Sequence, residues 1–154
     1  MNNVVFIDFY NKKNYPIGKW SSEPDLCRWN YKELPCLVVR DMSIGTWKGF
    51  VGLSPTHPFF GLKLEEVLNI HSAIEIFLSV YGGISSSGAL PPRYQEDAGD
   101  FWWLGLDTSY GGDLLPFLDK EPHLVGLISN RTYKDFNFIR KETNKLAKLI
   151  LEVT

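Results

Sequence analysis

The C-terminal part of the chain carries the pattern that most restricts its fold. Thr132 followed three residues later by Asp135 resembles a capping box, with Asp in place of the usual Glu. Lysine and glutamate occupy one face of the segment that follows, and apolar side chains recur on the other face at helical spacing: Phe136, Ile139, Leu146, Ile150 and Val153. The pattern predicts an amphipathic helix that covers one side of a sheet.

The segments that could form this sheet are short and apolar. The sequence predicts a short helix over 64–68, irregular structure over 18–35, a loop over 85–99, and strands over 4–10, 36–40, 46–53, 73–80 and 101–107. Strands 36–40 and 46–53 are expected to form a hairpin across Ser43-Ile44-Gly45. No repeat, heptad or linker is present. We therefore expect an α+β fold, a single domain over residues 1–154 with a mostly antiparallel sheet and the C-terminal helix packed on one face.

Charge and hydropathy argue against several classes of partner. The formal net charge is −2 and no Lys/Arg cluster exceeds a dipeptide, which argues against binding to a DNA or RNA duplex. The apolar runs are too short to span a membrane, and the N-terminus lacks the basic region of a signal peptide. Cys27 and Cys36 are interpreted as reduced structural thiols of a cytoplasmic protein, with a disulfide as the alternative.

Aromatic residues are unusually abundant, at 14% of the chain. Large rings fill cores, but they also line binding sites and interfaces. The sequence leaves both uses open, and with them a homodimer or higher homo-oligomer.

The common catalytic and nucleotide-binding motifs are absent. The sequence contains no GxxxxGK[ST], GxGxxG, GxSxG or HExxH. No two histidines are spaced as metal ligands, so we predict no metal and no cofactor. His57, in a turn before Pro58, is either a backbone-bonding turn residue or a ligand contact.

Residues 101–116, FWWLGLDTSYGGDLLP, hold most of the candidate site residues. Asp107 and Asp113 either cap the turn between them or accept hydrogen bonds from a ligand. Trp102 and Trp103 are expected on opposite faces of a strand, one in the core and the other free to stack on a planar ligand. Arg93 is either a solvated loop arginine or the natural phosphate partner in this neighbourhood.

Several short motifs share their order and spacing with a known family. They begin with Trp47-x-Gly49-Phe50-Val51-Gly52, His57-Pro58-x-x-Gly61 and Tyr81-Gly82-Gly83-Ile84-Ser85, and continue with Trp102-Trp103-x-Gly105-x-Asp107-x-x-Tyr110-x-Gly112-Asp113 and Tyr133-Lys134-Asp135-x-x-Phe138-Ile139. Over roughly residues 46–150 the chain resembles a family of small proteins common in bacteriophages and prophages. That family typically reads W-x-G-Y-V-G, G-H-P, V-H-G-G, W-W-x-G-F-D-C-x-H-x-G-D and Y-R-D.

The chain departs from this family pattern at matched places. Tyr81 and Tyr110 stand where the family usually has histidines, and Thr108 replaces the usual cysteine. A tyrosine keeps a hydrogen-bonding tip on a flat apolar body, so a binding cleft survives this exchange better than a catalytic one.

The resemblance implies a phage accessory protein that sequesters a nucleotide-derived signal, such as a cyclic ADP-ribose isomer or a cyclic oligonucleotide, to counter bacterial defence. The expected ligand-binding residues are His57, Phe60, Tyr81, Gly82, Gly83, Arg93, Trp102, Trp103, Asp107, Tyr110 and Asp113. Two alternatives stay open. One is a small hydrolase using His57 with Asp107 or Asp113, and the other is a protein that docks on a host protein through exposed aromatics.

Overall fold

A computed structural model describes residues 4–90, 94, 99–118 and 131–153. The described strands are β1 (Val5–Ile7), β2 (Leu26–Tyr31), β3 (Leu34–Arg40), β4 (Trp47–Leu53), β5 (Ser86–Gly88) and β6 (Trp102–Asp107). The helices are α1 (Leu64–Leu68), α2 (His71–Ser79) and α3 (Phe136–Leu151), with short 3-10 turns at Lys12–Asn14 and Lys19–Ser22.

The six strands form one antiparallel sheet in the order β1-β2-β3-β4-β6-β5. Strands β1 to β4 follow one another as a meander, and the predicted hairpin joins β3 to β4, with Arg40 paired to Trp47. Helices α1 and α2 and strand β5 lie between β4 and β6 in sequence, and β6 pairs with β4. The predicted α+β fold is confirmed.

Strand β2 lies in the segment predicted to be irregular, so that prediction was wrong. It forms a two-residue hairpin with β3, because Tyr31 pairs directly with Leu34. The turn residue Lys32 has a φ of 53°, in the left-handed region that glycine or asparagine usually fills in such turns. The sequence therefore lacks the Asn-Gly type of signal that marks most tight hairpins.

Helix α3 packs on the predicted face of the sheet, against β2, β3 and β4. A Cβ atom added at Gly49 of β4 would overlap the Thr143 hydroxyl, so this glycine allows the helix to approach the strand closely. The helix begins one turn later than the capping-box pattern implied. Its N-cap is Asp135, whose carboxylate accepts a hydrogen bond of 2.8 Å from the Phe138 N–H.

The segment predicted as a strand over 73–80 is helix α2. Ala73, Ile76 and Val80 are buried and recur every three to four residues, which is the spacing of a helix face. The apolar residues between them, Ile74 and Leu78, remain exposed at 47% and 76%. The run was misassigned because apolar side chains on both faces concealed the period of the buried ones.

Each face of the sheet carries its own apolar cluster. The larger cluster lies under α1, α2 and α3, and includes Trp29, Val38, Val51 and Leu104. The smaller one, on the opposite face, consists of Leu26, Leu37, Val39, Phe50, Leu90 and Trp103, with Tyr94 packed against it. In the part of the chain that the structure describes, no helix is long and apolar enough to cross a bilayer.

Candidate functional site

Three of the predicted site residues meet beside the N-terminal end of α3. The Tyr81 hydroxyl donates a hydrogen bond of 2.7 Å to Asp113 Oδ1, and the Tyr110 backbone N–H donates one of 3.0 Å to Asp113 Oδ2. The two tyrosine rings meet edge to face at 5.7 Å between centroids. We call Tyr81, Tyr110 and Asp113 the tyrosine–aspartate cluster.

Helix α3 and the residues before it complete the surroundings of this cluster. Lys134 Nζ lies 3.1 Å from Asp113 Oδ1 and sits over the Tyr81 ring. The Phe138 ring meets Tyr81 edge to face at 5.2 Å. Glu142 accepts a hydrogen bond of 2.8 Å from the Tyr81 backbone N–H. Tyr81 is therefore fixed at its backbone, its ring and its hydroxyl, and its orientation is set before any ligand arrives.

The phenolic protons of the cluster are used within the protein, because Tyr81 donates to Asp113 and Tyr110 donates to the Gly82 carbonyl. Burial and the adjacent Asp113 carboxylate raise the pKa of Tyr81. Burial, with Asp107 and Asp113, also raises the pKa of Tyr110. Asp113 itself is 1% exposed, and both its oxygens are engaged within the protein. Its expected role as a direct acceptor for a ligand is therefore replaced by that of positioning two tyrosines and Lys134.

Gly82 and Gly83 shape the turn between α2 and β5. Their φ angles are 67° and 78°, and a Cβ on Gly82 would overlap the Tyr110 ring. The Tyr110 hydroxyl also donates to the Gly82 carbonyl over 3.3 Å. The Gly83 N–H is bonded to the Val80 carbonyl, so these glycines serve close packing and do not present converging N–H groups to a phosphate.

An open groove adjoins the cluster along α3. Phe138 and Glu142, which contact Tyr81, also line this groove, and its volume is about 540 Å³. Its other lining residues are Tyr31, Lys141, Asn144, Lys145 and Lys148. We call this the lysine groove. Its volume is within the range of small-molecule sites, about 300–1,000 Å³.

A second cleft of about 550 Å³ lies on the opposite face of the sheet, beside Phe50 and Tyr94. The half-buried lysine of this cleft, Lys48, is held between two carboxylates, Asp107 at 3.2 Å and Asp41 at 3.8 Å. Asp107 also accepts a hydrogen bond of 2.7 Å from the Thr108 N–H, as the turn-capping interpretation expected. This cleft offers an anion little, because its lysine is already neutralised.

His57 lies far from both aspartates. Its Nδ1 accepts a hydrogen bond of 3.0 Å from the Phe59 N–H, so Nε2 carries the proton and donates to the Ile150 carbonyl at 3.2 Å. Ile150 is 14 residues beyond the start of α3, about 21 Å along its axis from the end nearest Asp113. The structure therefore does not bring His57 to Asp113.

His57 and Asp107 are likewise at opposite ends of the sheet. His57 follows the end of β4 that pairs with Trp102, while Asp107 pairs with Lys48 at the other end. The hydrolase alternative needed the histidine beside one of these carboxylates. The structure places His57 beside neither carboxylate, and both its ring nitrogens are already hydrogen-bonded. The expected pairing of His57 with Asp107 or Asp113 is therefore not present.

The tryptophan pair does not form an exposed platform. The two rings lie on opposite faces as expected, but Trp103 is 2% exposed within the smaller cluster. Trp102 packs against the larger cluster, and its Nε1 donates to Ser87 Oγ at 2.9 Å. Phe60 lies beside Trp102, at 6.1 Å between ring centroids. Arg93, the expected phosphate partner, lies outside the described residues.

The sequence interpretation missed a buried ionic network centred on Arg40. This arginine is fully buried and donates to Asp25 at 2.9 Å, to Glu23 at 3.2 Å and to the Tyr133 hydroxyl at 3.0 Å. Tyr133 donates in turn to Glu23, which also accepts from the Phe136 N–H at 2.8 Å. The network links the start of α3 to the sheet. It could not be predicted from a local motif, because its members are distant in sequence.

Other reactive groups are poorly placed for chemistry. Cys27 and Cys36 are free and buried, and burial raises the pKa of both thiols, that of Cys36 to about 12. Neither is thus a ready nucleophile. Within the described ranges no group of three His, Cys, Asp or Glu side chains could hold a metal ion.

Comparison with known proteins adds no assignment: no family model, no curated protein and no solved structure matches this chain.

Proposed function

We propose that this chain is a phage-type binding protein that sequesters a small nucleotide-derived signal in the cytoplasm of a bacterial host, and so counters antiphage defence. The ligand is held without being turned over. The binding site is the tyrosine–aspartate cluster together with the adjoining lysine groove.

One observation carries the proposal: Phe138 and Glu142, which hold Tyr81 of the tyrosine–aspartate cluster in place, also line an open groove that carries lysines. A nucleotide combines a flat base with an anionic phosphate. Aromatic rings suit the base, and ammonium groups suit the phosphate. Tyr110 is 39% exposed, so its ring is accessible at the edge of the cluster.

The same geometry favours recognition over catalysis. The raised pKa values of Tyr81 and Tyr110 keep both phenols protonated near neutral pH, so neither attacks or deprotonates a substrate, and both hydroxyls already donate within the protein. A hydrolytic site would need a free base within hydrogen-bond reach of the substrate. His57 does not meet this need, because it is engaged at the far end of α3.

The test is to incubate purified protein with a panel of cyclic and linear nucleotide signals and to measure thermal shifts. The protein is then denatured, and the released compounds are identified by mass spectrometry. We expect one ligand to stabilise the fold and to be recovered intact. Recovery of a converted product would show that the protein is an enzyme and would contradict sequestration. The absence of any thermal shift across the panel would reject nucleotide binding.

A matched pair of variants locates the site. Tyr110→Ala removes a partly exposed ring of the cluster, and Phe101→Ala removes a ring of similar exposure, 37%, at the opposite end of β6. We expect Tyr110→Ala to weaken binding about tenfold or more, equivalent to about 1.4 kcal/mol. Phe101→Ala should bind as the wild type does. Equal effects of the two substitutions would place the ligand elsewhere.

A second candidate function is docking on a host protein. Helix α2 exposes Ile74, Phe77 and Leu78, and adjacent exposed apolar side chains are typical of interaction surfaces. Ile74→Lys with Leu78→Lys should abolish such docking and leave nucleotide binding unchanged, which separates the two candidates.

A further inference from the structure

The three lysines of the lysine groove form a row along α3. Lys141, Lys145 and Lys148 are separated by four and three residues, so they lie on one face of the helix. All three are exposed. Lys141 and Lys148 are seven residues apart, which places their Cα atoms about 10 Å from each other along the axis.

The charge of this row is only partly neutralised. Lys145 is paired with Glu142 at 3.0 Å and also donates to the Ser79 carbonyl at 3.3 Å. In the described part of the chain, Lys141 and Lys148 form no ion pair. Three ammonium groups against one carboxylate leave a local charge of +2, opposite in sign to the net charge of −2 for the whole chain.

The groove also offers groups that suit a base. Tyr31 and Phe138 contribute rings to its lining. The carboxamide oxygen of Asn144 accepts a hydrogen bond of 2.8 Å from the Trp29 indole N–H, which fixes the amide so that its NH2 group can donate to a ligand. Carboxylate acceptors are scarce, because Glu142 is 8% exposed and already bonded to Lys145 and to the Tyr81 N–H.

From this spacing we infer that the ligand carries at least two phosphates separated by a nucleoside, as in a linear or cyclic dinucleotide, with one phosphate at Lys141 and the other at Lys148. This inference rests on the proposed function. The adjacent phosphates of a diphosphate share one bridging oxygen and lie closer together than one helical turn of about 5.4 Å. To reach a diphosphate, both lysine side chains would have to fold towards each other over the intervening turn, whereas phosphates on either side of a nucleoside can meet them further apart.

An acidic peptide would also be attracted to this row of lysines. The two rings in the lining and the volume of about 540 Å³ favour a compact ligand with flat bases over an extended chain.

The test uses isothermal titration calorimetry with adenosine, AMP, ADP and the dinucleotide pApA, together with the corresponding guanine series. We expect affinity to rise from nucleoside to mononucleotide, and the dinucleotide to bind at least tenfold more tightly than the diphosphate of the same base. Lys141→Ala and Lys148→Ala should each weaken dinucleotide binding about tenfold and mononucleotide binding by less. The control Lys13→Ala removes an exposed lysine outside the groove and should change neither.

Salt dependence distinguishes direct phosphate contact from a structural effect of substitution. Each groove variant should make the affinity for the dinucleotide less dependent on salt than that of the wild type, because one screened ion pair is lost, and Lys148→Arg should restore the salt dependence. A diphosphate that binds as tightly as the dinucleotide, or groove variants that bind like the wild type, would overturn this inference and leave the proposed function standing. An Asp/Glu-rich peptide that binds with the same Lys148 dependence would overturn it in favour of an acidic protein partner. No binding of any nucleotide in either series, together with no thermal shift across the panel of cyclic and linear nucleotide signals, would reject the proposed function itself.

Discussion

Tyr81 donates its phenolic hydrogen to Asp113 across 2.7 Å, and the same carboxylate oxygen lies 3.1 Å from Lys134. A buried carboxylate with a phenol and an ammonium group at one oxygen is fully compensated. The resemblance to the phage family placed histidine at the position of Tyr81. In this chain the phenol of Tyr81 keeps its proton and donates it to Asp113, so the cluster is held together by its own hydrogen bonds.

The first prediction concerns stability at alkaline pH. Burial and Asp113 raise the pKa of Tyr81 above the value of about 10 for an unfolded tyrosine. The folded state therefore holds this proton more tightly, and the resulting stabilisation is complete below about pH 10 and lost as pH rises further. Tyr81→Phe should cost about 1 kcal/mol of unfolding free energy near pH 7, because it removes one hydrogen bond. It should also make the decline above about pH 10 shallower.

Urea unfolding at several pH values between about 7 and 11 measures both effects. The raised pKa of Tyr133 and lysine deprotonation affect the wild type and the variant alike, so only the difference between the two curves reports on Tyr81. Parallel curves over this range would contradict the assignment.

The second prediction concerns the glycine turn. Gly82→Ala combines a left-handed backbone with overlap against the Tyr110 ring, whereas Gly61→Ala has a similar φ of 81° and open space around it. We expect about 1 kcal/mol of destabilisation at Gly61 and at least about 2 kcal/mol at Gly82. Gly82→Ala should also displace Tyr110 and weaken ligand binding. Denaturant titration with a binding assay checks this, and equal costs at the two glycines would show that the ring yields easily.

The third prediction concerns the Arg40 network. Arg40→Met leaves Asp25 buried without its one fully buried charged partner among the described residues, and should cost about 3–5 kcal/mol of unfolding free energy. Lys12→Met removes the other cation at Asp25, but Lys12 is 27% exposed and Arg40 remains, so about 1 kcal/mol is expected. Comparable losses from both would mean that the carboxylate depends on its exposed partner as much as on the buried one.

The fourth prediction concerns the tryptophan pair. Trp103→Ala should destabilise the protein by about 3–5 kcal/mol, because the ring fills the smaller cluster. Trp103→Phe should recover most of that stability and bind ligand normally, since this ring lies outside the tyrosine–aspartate cluster and the lysine groove. Thermal melting and calorimetry on both variants provide the measurement. A Trp103→Phe protein that is stable but does not bind would restore the stacking hypothesis.

The sequence allowed an element to be predicted where the spacing of its apolar residues matches the spacing of its buried residues. Helix α3 was predictable because its apolar residues occupy one face. Helix α2 was not, because Ile74 and Leu78 are apolar but exposed. Strand β2 was not predicted because its turn contains Lys32 in the left-handed conformation, and a lysine in the sequence does not indicate a tight turn.

For the candidate site, several residues could be chosen from the sequence, but which of them lie together in space could not. Tyr81, Tyr110 and Asp113 were singled out and do meet in space. His57 and Trp103 were assigned to the same cleft, but tertiary packing directs them elsewhere. The spacing of the three lysines places them on one face of a helix. The sequence could not show that they line a groove, because Tyr31 reaches that groove only through the folded β2–β3 hairpin.

The position of α3 after every strand in sequence has a consequence during synthesis. The four strands of the meander can pair while later residues are still being added, but the apolar face that α3 covers stays open to water until residues 136–151 leave the ribosome. The nascent protein therefore passes through a stage in which a formed sheet exposes an apolar, aggregation-prone face. Chaperone dependence should be greatest at that stage, and a chain truncated before residue 136 should be found in inclusion bodies.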